Sequence, residues 1–193
     1  MKKGWIVIIA IVAIVAIWGV SGYNSLVKQE EGVKTAWSQV ENQYQRRSDL
    51  IPNLVNTVKG YASHESTTLE DVVAARARAT QTTIDAENLT AESMQQFQQA
   101  QGELTNALGR LLFIQENYPD LKANQNFSEL QAQLEGTENR IATERRNFNN
   151  AARAYNTKVR RFPTNLIAGM FGFGQYPYFE ATDGDEAVPT VEF

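Results

Sequence analysis

The stretch that decides the fold runs from residue 127 to residue 162, FSELQAQLEGTENRIATERRNFNNAARAYNTKVRRF. In it Phe127, Leu134, Ile141, Phe148, Tyr155 and Phe162 recur at every seventh residue without a miss. A seven-residue apolar period predicts a long helix with one seam turned to a core. Leu130 and Ala151 fill the three-residue offset, whereas Thr137, Glu144 and Lys158 interrupt it. One apolar seam beside one mixed seam suits a helical bundle better than a two-stranded zipper, which needs both seams apolar. Pro163 is predicted to stop the helix.

Three more helices are predicted upstream. The nearest carries Phe97, Leu104, Leu111 and Tyr118, with Ala100, Ala107 and Ile114 at the companion position; Thr90 is its N-cap and Pro119 its end. Before it, Asp85–Thr90 reads as a loop. A further helix covers Glu65 to about Ile84, with Leu69, Val72 and Val73 apolar and four alanines that allow close approach. The earliest stripe is Leu26, Val33, Trp37, Val40, Tyr44, Ile51, Leu54, Val58 and Tyr61. Pro52 falls inside it. A proline lacks the backbone donor and crowds the preceding turn, so a kink or restart is predicted near Asp49, which is placed to cap it.

The chain opens differently. From Trp5 to Val20 no residue is charged or strongly polar. Residues 4–23 in helical form span roughly 30 Å, the thickness of a bilayer's hydrocarbon core. A cleaved signal peptide is the competing reading. The run is longer than such a segment needs, and Trp18 and Val20 interrupt the small-residue cleavage site near Ser21–Gly22. Trp5, Trp18 and Tyr23 lie towards the two ends, where amphipathic rings favour the interfaces. The reading is therefore all-α: an N-terminal transmembrane helix (1–23), then an antiparallel up-and-down four-helix bundle (24–165). A Gly/aromatic membrane-proximal segment (166–180) and an acidic disordered tail (181–193) complete it.

Lys2 and Lys3 sit immediately before the apolar run, and Lys28 and Lys34 follow it. The positive-inside rule, tilted by the adjacency of the first pair, keeps the N-terminus inside and places the bundle on the extracytoplasmic side of the membrane. The net charge of −4 is uneven: residues 24–165 are nearly balanced, while the acidic residues from Glu180 to Glu192 have no basic neighbour. No basic excess marks a nucleic-acid surface. The absence of cysteine excludes disulfides, thiolate metal sites and a lipidated cysteine.

An up-and-down bundle returns its last helix to the side where the first began. The residues that follow, Leu166, Ile167, Met170, Phe171, Phe173, Tyr176, Tyr178 and Phe179, are interleaved with glycines, and no charge lies between Arg161 and Glu180. Three readings are open for them: a strap on the end of the bundle, a set of side chains in the membrane interface, or a partner-binding loop.

Several blocks resemble the LemA family. They are Tyr23-Asn24, Ala36-Trp37, the run Arg46-Arg47-Ser48-Asp49-Leu50-Ile51-Pro52-Asn53-Leu54-Val55, Lys59-Gly60-Tyr61 with His64-Glu65, and Ala75-Arg76. Further on come Tyr118-Pro119-Asp120-Leu121-Lys122-Ala123-Asn124, Asn126-Phe127, Thr137-Glu138-Asn139, Tyr155-Asn156 and Phe162-Pro163. The resemblance covers residues 23–180, with the acidic end after Thr182 outside the family pattern. It implies a bacterial, membrane-anchored four-helix bundle with no assigned enzymatic activity and no catalytic residues to carry over. It also implies a short N-terminus outside the cell, opposite to the charge reading.

Candidate site residues are few. Arg46, Arg47, Asp49 and Asn53 form a dense polar patch beside Pro52. Asp49 is placed to pair with an arginine and cap the chain there; alternatively the patch recognises a partner or an anionic group. His64-Glu65 resembles a zinc signature only superficially, because Thr68 stands where the second histidine is needed. Glu138 and Glu144 lie six apart on one helix, hence on different faces, and Glu138, Asn139 and Arg140 read as interhelical hydrogen-bonding groups. Arg145, Arg146, Arg153, Arg160 and Arg161 suit the negative C-terminal end of their helix. With one histidine and no nucleophile elbow, no catalytic, cofactor or metal set is expected. The expected role is structural, a scaffold or protein-interaction module on a membrane that could form a homo-oligomer. The alternatives are an accessory subunit of a membrane enzyme such as a protease, or lipid or small-ligand handling through the Gly/aromatic segment.

Overall fold

The computed structural model of the chain describes residues 2–87 and 89–180; the predicted tail at 181–193 lies outside the described residues. Every regular element among the described residues is helical. The order is α1 (Lys2–Tyr61), α2 (Ser66–Gln81), α3 (Ala91–Phe113), a 3-10 turn (Ile114–Asn117), α4 (Pro119–Lys122), α5 (Gln125–Arg160) and α6 (Thr164–Phe171).

Of the kink or restart predicted near Asp49, the restart does not occur. α1 is one helix of 60 residues that continues from the apolar run through Pro52 into the core stripe. Pro52 lies on its exposed face. Without an N–H, Pro52 leaves the carbonyl of Ser48, one turn earlier, without its helical donor. Arg76 of α2 supplies the missing bond: its Nε donates to Ser48 O at 2.9 Å. Asp49 is not a cap; its carboxylate accepts from Gln45 Nε2 at 2.8 Å on the helix surface.

The helices alternate in direction. α5 runs back along α1, so that Asn124 donates to the Tyr61 hydroxyl at one end and Lys158 to the Ser25 hydroxyl at the other. α3 runs back along α2, with Arg78–Glu103 at 3.0 Å and Arg110–Asp71 at 3.4 Å. Backbones approach most closely within these two pairs. Larger side chains fill the space between the pairs, as where Phe97 meets Trp37 at 5.5 Å and Tyr44 at 5.0 Å.

Phe127, Leu134, Ile141, Phe148 and Tyr155 are all buried, as their spacing predicts. Phe162 is not: it is 75% exposed, because Arg161 already leaves the helix in an extended conformation. The second buried row of α5 drifts from Thr137 to Ala152 and Val159. A straight α-helix rotates away from an exact seven-residue period in this way. At the end of the α1 stripe Tyr61 is exposed and Ala62 is buried in its place. Val73 is exposed, and α2 stops at Gln81, leaving Ile84 in the connection, where its carbonyl accepts from Trp37 Nε1 at 3.3 Å. Thr90 caps α3 as predicted, in a reciprocal box with Ser93. α3 ends at Phe113, and Pro119 opens α4 rather than ending α3, a first-turn position where its missing N–H costs nothing.

The core has two halves. One, from Leu26 to Tyr44 on α1, takes in Phe97, Phe148, Tyr155, Ile167 and Phe179; the other, from Ile51 to Ala62, takes in Leu69, Val72, Leu104, Leu111 and Phe127. Arg47, Ser48, Gln101 and Thr137, all buried, lie at the level between them.

Candidate functional site

The polar patch predicted around Pro52 is divided by the helix. Arg46, Asp49 and Asn53 face solvent, whereas Arg47 is 1% exposed. The Arg47 guanidinium donates to Glu138 Oε1 of α5 at 2.8 Å and to Thr105 Oγ1 of α3 at 2.9 Å. It also donates to Gln101 O at 3.3 Å and to the Gln101 side chain, and it stands over the Tyr44 ring at 5.1 Å. One buried charge therefore ties together α1, α3 and α5. Glu138 makes the interhelical bond expected of it. Gln101 was not legible as a core residue, because a polar side chain looks like an interruption of the Phe97–Leu104 stripe.

A polar groove of 580 Å³ between α3 and α5 opens onto this layer, lined among others by Arg47, Gln98, Asn106, Glu138, Arg145 and Glu180. Its Thr105 hydroxyl and Glu138 carboxylate both accept from the Arg47 guanidinium. His64 is exposed in the turn between α1 and α2. Among the described residues no three His, Asp or Glu side chains converge as a metal site. Of the arginines near the end of α5, Arg145 is engaged in the fold: it donates to Glu180 O at 2.9 Å and to Gln98 Oε1 at 3.3 Å, and it lies 4.7 Å over the Phe179 ring. Arg153, Arg160 and Arg161 are exposed.

The Gly/aromatic segment has two parts. α6 carries the first and ends at Gly172, whose φ of 77° is the left-handed conformation that glycine adopts without strain. After it the chain is extended and climbs away from α6 along the bundle. Asn156 makes two bonds to the backbone of Tyr176, donating to its O at 2.8 Å and accepting from its N at 2.9 Å. Asn149 makes the same two bonds to Phe179, at 3.0 and 2.9 Å. Seven residues of helix rise about 10.5 Å, and three residues of extended chain about 10 Å, so asparagines seven apart match strap residues three apart. Phe179 stacks on Trp37 at 5.8 Å and meets Phe148 edge-on at 5.5 Å. Tyr176 packs on Tyr155, and its phenol is pushed up to about 12 by burial and then by Glu30, Glu31 and Glu87. Ile167 and Phe179 are thus buried, Phe173 and Tyr176 are half-buried, and Tyr178 is exposed at the strap's edge. Leu166, Met170 and Phe171 remain outward on α6.

The blocks that carry the family resemblance hold the fold together. Trp37 receives the strap, Arg76 satisfies the Pro52 gap, and Asn156 binds Tyr176. Tyr118 donates to Glu65 at 3.2 Å, Leu121 is fully buried, and Asn124 caps α5 by accepting from Phe127 N at 2.9 Å.

Fold and site together define an all-α protein with one long apolar N-terminal helix that fits a membrane anchor. The chain belongs to the LemA family, whose model matches residues 36–193. That match starts later than Tyr23 and runs to the last residue. The acidic end after Thr182, outside the pattern by resemblance, therefore falls within it. Magnetosome protein MamQ 2 of Paramagnetospirillum magneticum (strain AMB-1) is 27% identical over 190 residues, 88% of this chain and 69% of that protein. Magnetosome protein MamQ of Magnetospirillum gryphiswaldense is 28% identical over the same shares of both chains. Protein LemA of Metamycoplasma hominis is 23% identical over 160 residues, 83% of this chain and 69% of that one.

Proposed function

We propose that this protein is a non-catalytic, membrane-anchored structural module. In this reading the four long helices act as one up-and-down bundle that offers its surface to protein partners or to further copies of itself. The observation that carries the reading is the continuity of α1. A single helix of 60 residues passes from an apolar run that no other described residue buries into the core of the bundle. A scaffold needs such a rigid join, which passes membrane position directly to the bundle. The engagement of Arg47, Glu138, Asn149 and Asn156 in interhelical and strap bonds supports the same role, since they hold the shape and do not converge on a reacting atom. The relatives quoted above carry the names of a magnetosome protein and of the family, not of an enzyme.

In this reading the membrane is a bacterial inner membrane, and the charge pattern at Lys2 and Lys3 supports the bundle lying on its extracytoplasmic side. Cross-linking in intact cells, followed by mass identification, tests the role. The expected outcome is a reproducible adduct with a protein partner or with a second copy. Recovery of the uncross-linked monomer alone overturns the scaffold reading. A second reading, accessory subunit of a membrane enzyme, requires that the adduct contain that enzyme.

A further inference from the structure

Outside the apolar run of α1, exposed large apolar side chains concentrate in one short stretch. Phe162 is 75% exposed, Leu166 56%, Met170 79% and Phe171 60%. Phe162, Leu166 and Met170 follow one another at steps of four, and on α6 a step of four keeps Leu166 and Met170 on one face. The opposite face holds Ile167 and Ala168, both buried. α6 is therefore apolar on both sides, whereas a helix on the surface of a water-soluble domain turns a polar face outward. An exposed apolar cluster of this kind marks a contact with something other than water.

The position of α6 says what that is. Gly22 of α1 lies so close to it that a Cβ there would be 2.5 Å from Ile167 Cδ1. The Tyr23 ring meets Phe171 at 4.9 Å and Phe173 at 5.6 Å. Residues 22 and 23 stand just beyond the apolar run that is exposed from Gly4 to Trp18, so α6 sits at the height where that run leaves the hydrocarbon. Exposed Arg160 and Arg161 precede the cluster at the same end of α5, where cations meet lipid phosphates. The far end of the strap is excluded from this contact. Phe179 lies beside Trp37, fourteen residues beyond Tyr23 on α1, which is about 20 Å further along the helix axis.

We infer that Phe162, Leu166, Met170 and Phe171 form a second bilayer contact, seated in the interface of the membrane that α1 crosses. The proposal rests on α1 being a membrane anchor. It adds that the bundle is held to the membrane at two points, so that α1 cannot rotate freely about its own axis. The occupant is the lipid bilayer itself, not a partner protein.

The chain has no cysteine, so single spin labels can be placed without background. Leu166→Cys, Met170→Cys and Phe162→Cys are compared with Val12→Cys in the apolar run and with Phe113→Cys, exposed at the end of α3. All are labelled on the full chain in phosphatidylcholine vesicles containing phosphatidylglycerol. The expected result is a ratio of oxygen to nickel-chelate accessibility several-fold higher at 162, 166 and 170 than at 113, approaching the value at 12. If 12 is lipid-like while 162, 166 and 170 match 113, the second contact is overturned and the anchor stands. If 12 also matches 113, the anchor itself is overturned. A measurement on the unsubstituted chain covers variants that do not fold. A carbene-generating lipid should label residues 162–171 as well as α1, and labelling confined to α1 sinks the proposal.

Discussion

Arg47 shows how one residue can set the alignment of three helices. A buried guanidinium needs a counter-charge and acceptors, and here Glu138, Thr105 and Gln101 provide them from two other helices. The two partners of the ion pair are unequally buried. The Arg47 side chain is 2% exposed and that of Glu138 is 41%. Removing Glu138 leaves a charge without a counter-ion inside the protein, while removing Arg47 leaves a carboxylate that water reaches. Glu138→Ala should therefore destabilise by about 3 kcal/mol, and Arg47→Met by less. The double variant should recover part of the loss. Urea unfolding of the four proteins measures the order; a larger loss for Arg47→Met would show that hydrogen bonds to Gln101 and Thr105, not charge, dominate.

At the scale of elements, a proline in the middle of a helix is accommodated from outside the helix. Arg76 donates to the carbonyl that Pro52 cannot serve. Loss of that donor should cost about 1–3 kcal/mol, the range for a buried acceptor left unpaired. Arg76→Ala should show that loss. In a Pro52→Ala background it should show much less, because residue 52 would then carry the N–H that reaches Ser48 O. A double-mutant cycle in chemical denaturation reads the difference, and equal losses in both backgrounds would rule out the compensation. The strap offers a second test. Asn156 binds both backbone groups of Tyr176, so Asn156→Ala should speed amide exchange at residues 173–180 while the centres of α1 and α5 stay protected. Exchange rising equally throughout would mean that the strap is inseparable from the core.

At the scale of the molecule, α1 is about 90 Å long at 1.5 Å per residue; one end is an apolar run that fits a membrane anchor and the other is a core helix. The placement of the bundle follows from which end stays inside. With Lys2 and Lys3 retained in the cytoplasm, protease added outside spheroplasts should digest the bundle and leave only a short protected fragment. Protection of the whole bundle until the inner membrane is broken would reverse the orientation.

The seven-residue period of Phe127 to Tyr155 and the uncharged run from Trp5 to Val20 were enough to determine an all-α protein with a long apolar N-terminal helix. Periodicity reports which face of a helix is apolar, and uninterrupted length reports what it can span. The Thr90 cap was legible for the same local reason, since its partner Ser93 is three residues away. Only the tertiary structure decided the rest. Pro52 reads as a kink or restart because its remedy, Arg76, is distant in sequence. Arg47 reads as one of four residues of a polar patch because its acceptors lie on α3 and α5. Gly/aromatic residues 166–180 read as one segment because composition is continuous across Gly172. Yet the backbone turns there, with α6 lying beside Gly22 and Phe179 stacked on Trp37. Local sequence determines conformation over a few turns of helix; which polar group ends up beside which is settled by residues that meet only when the helices pack.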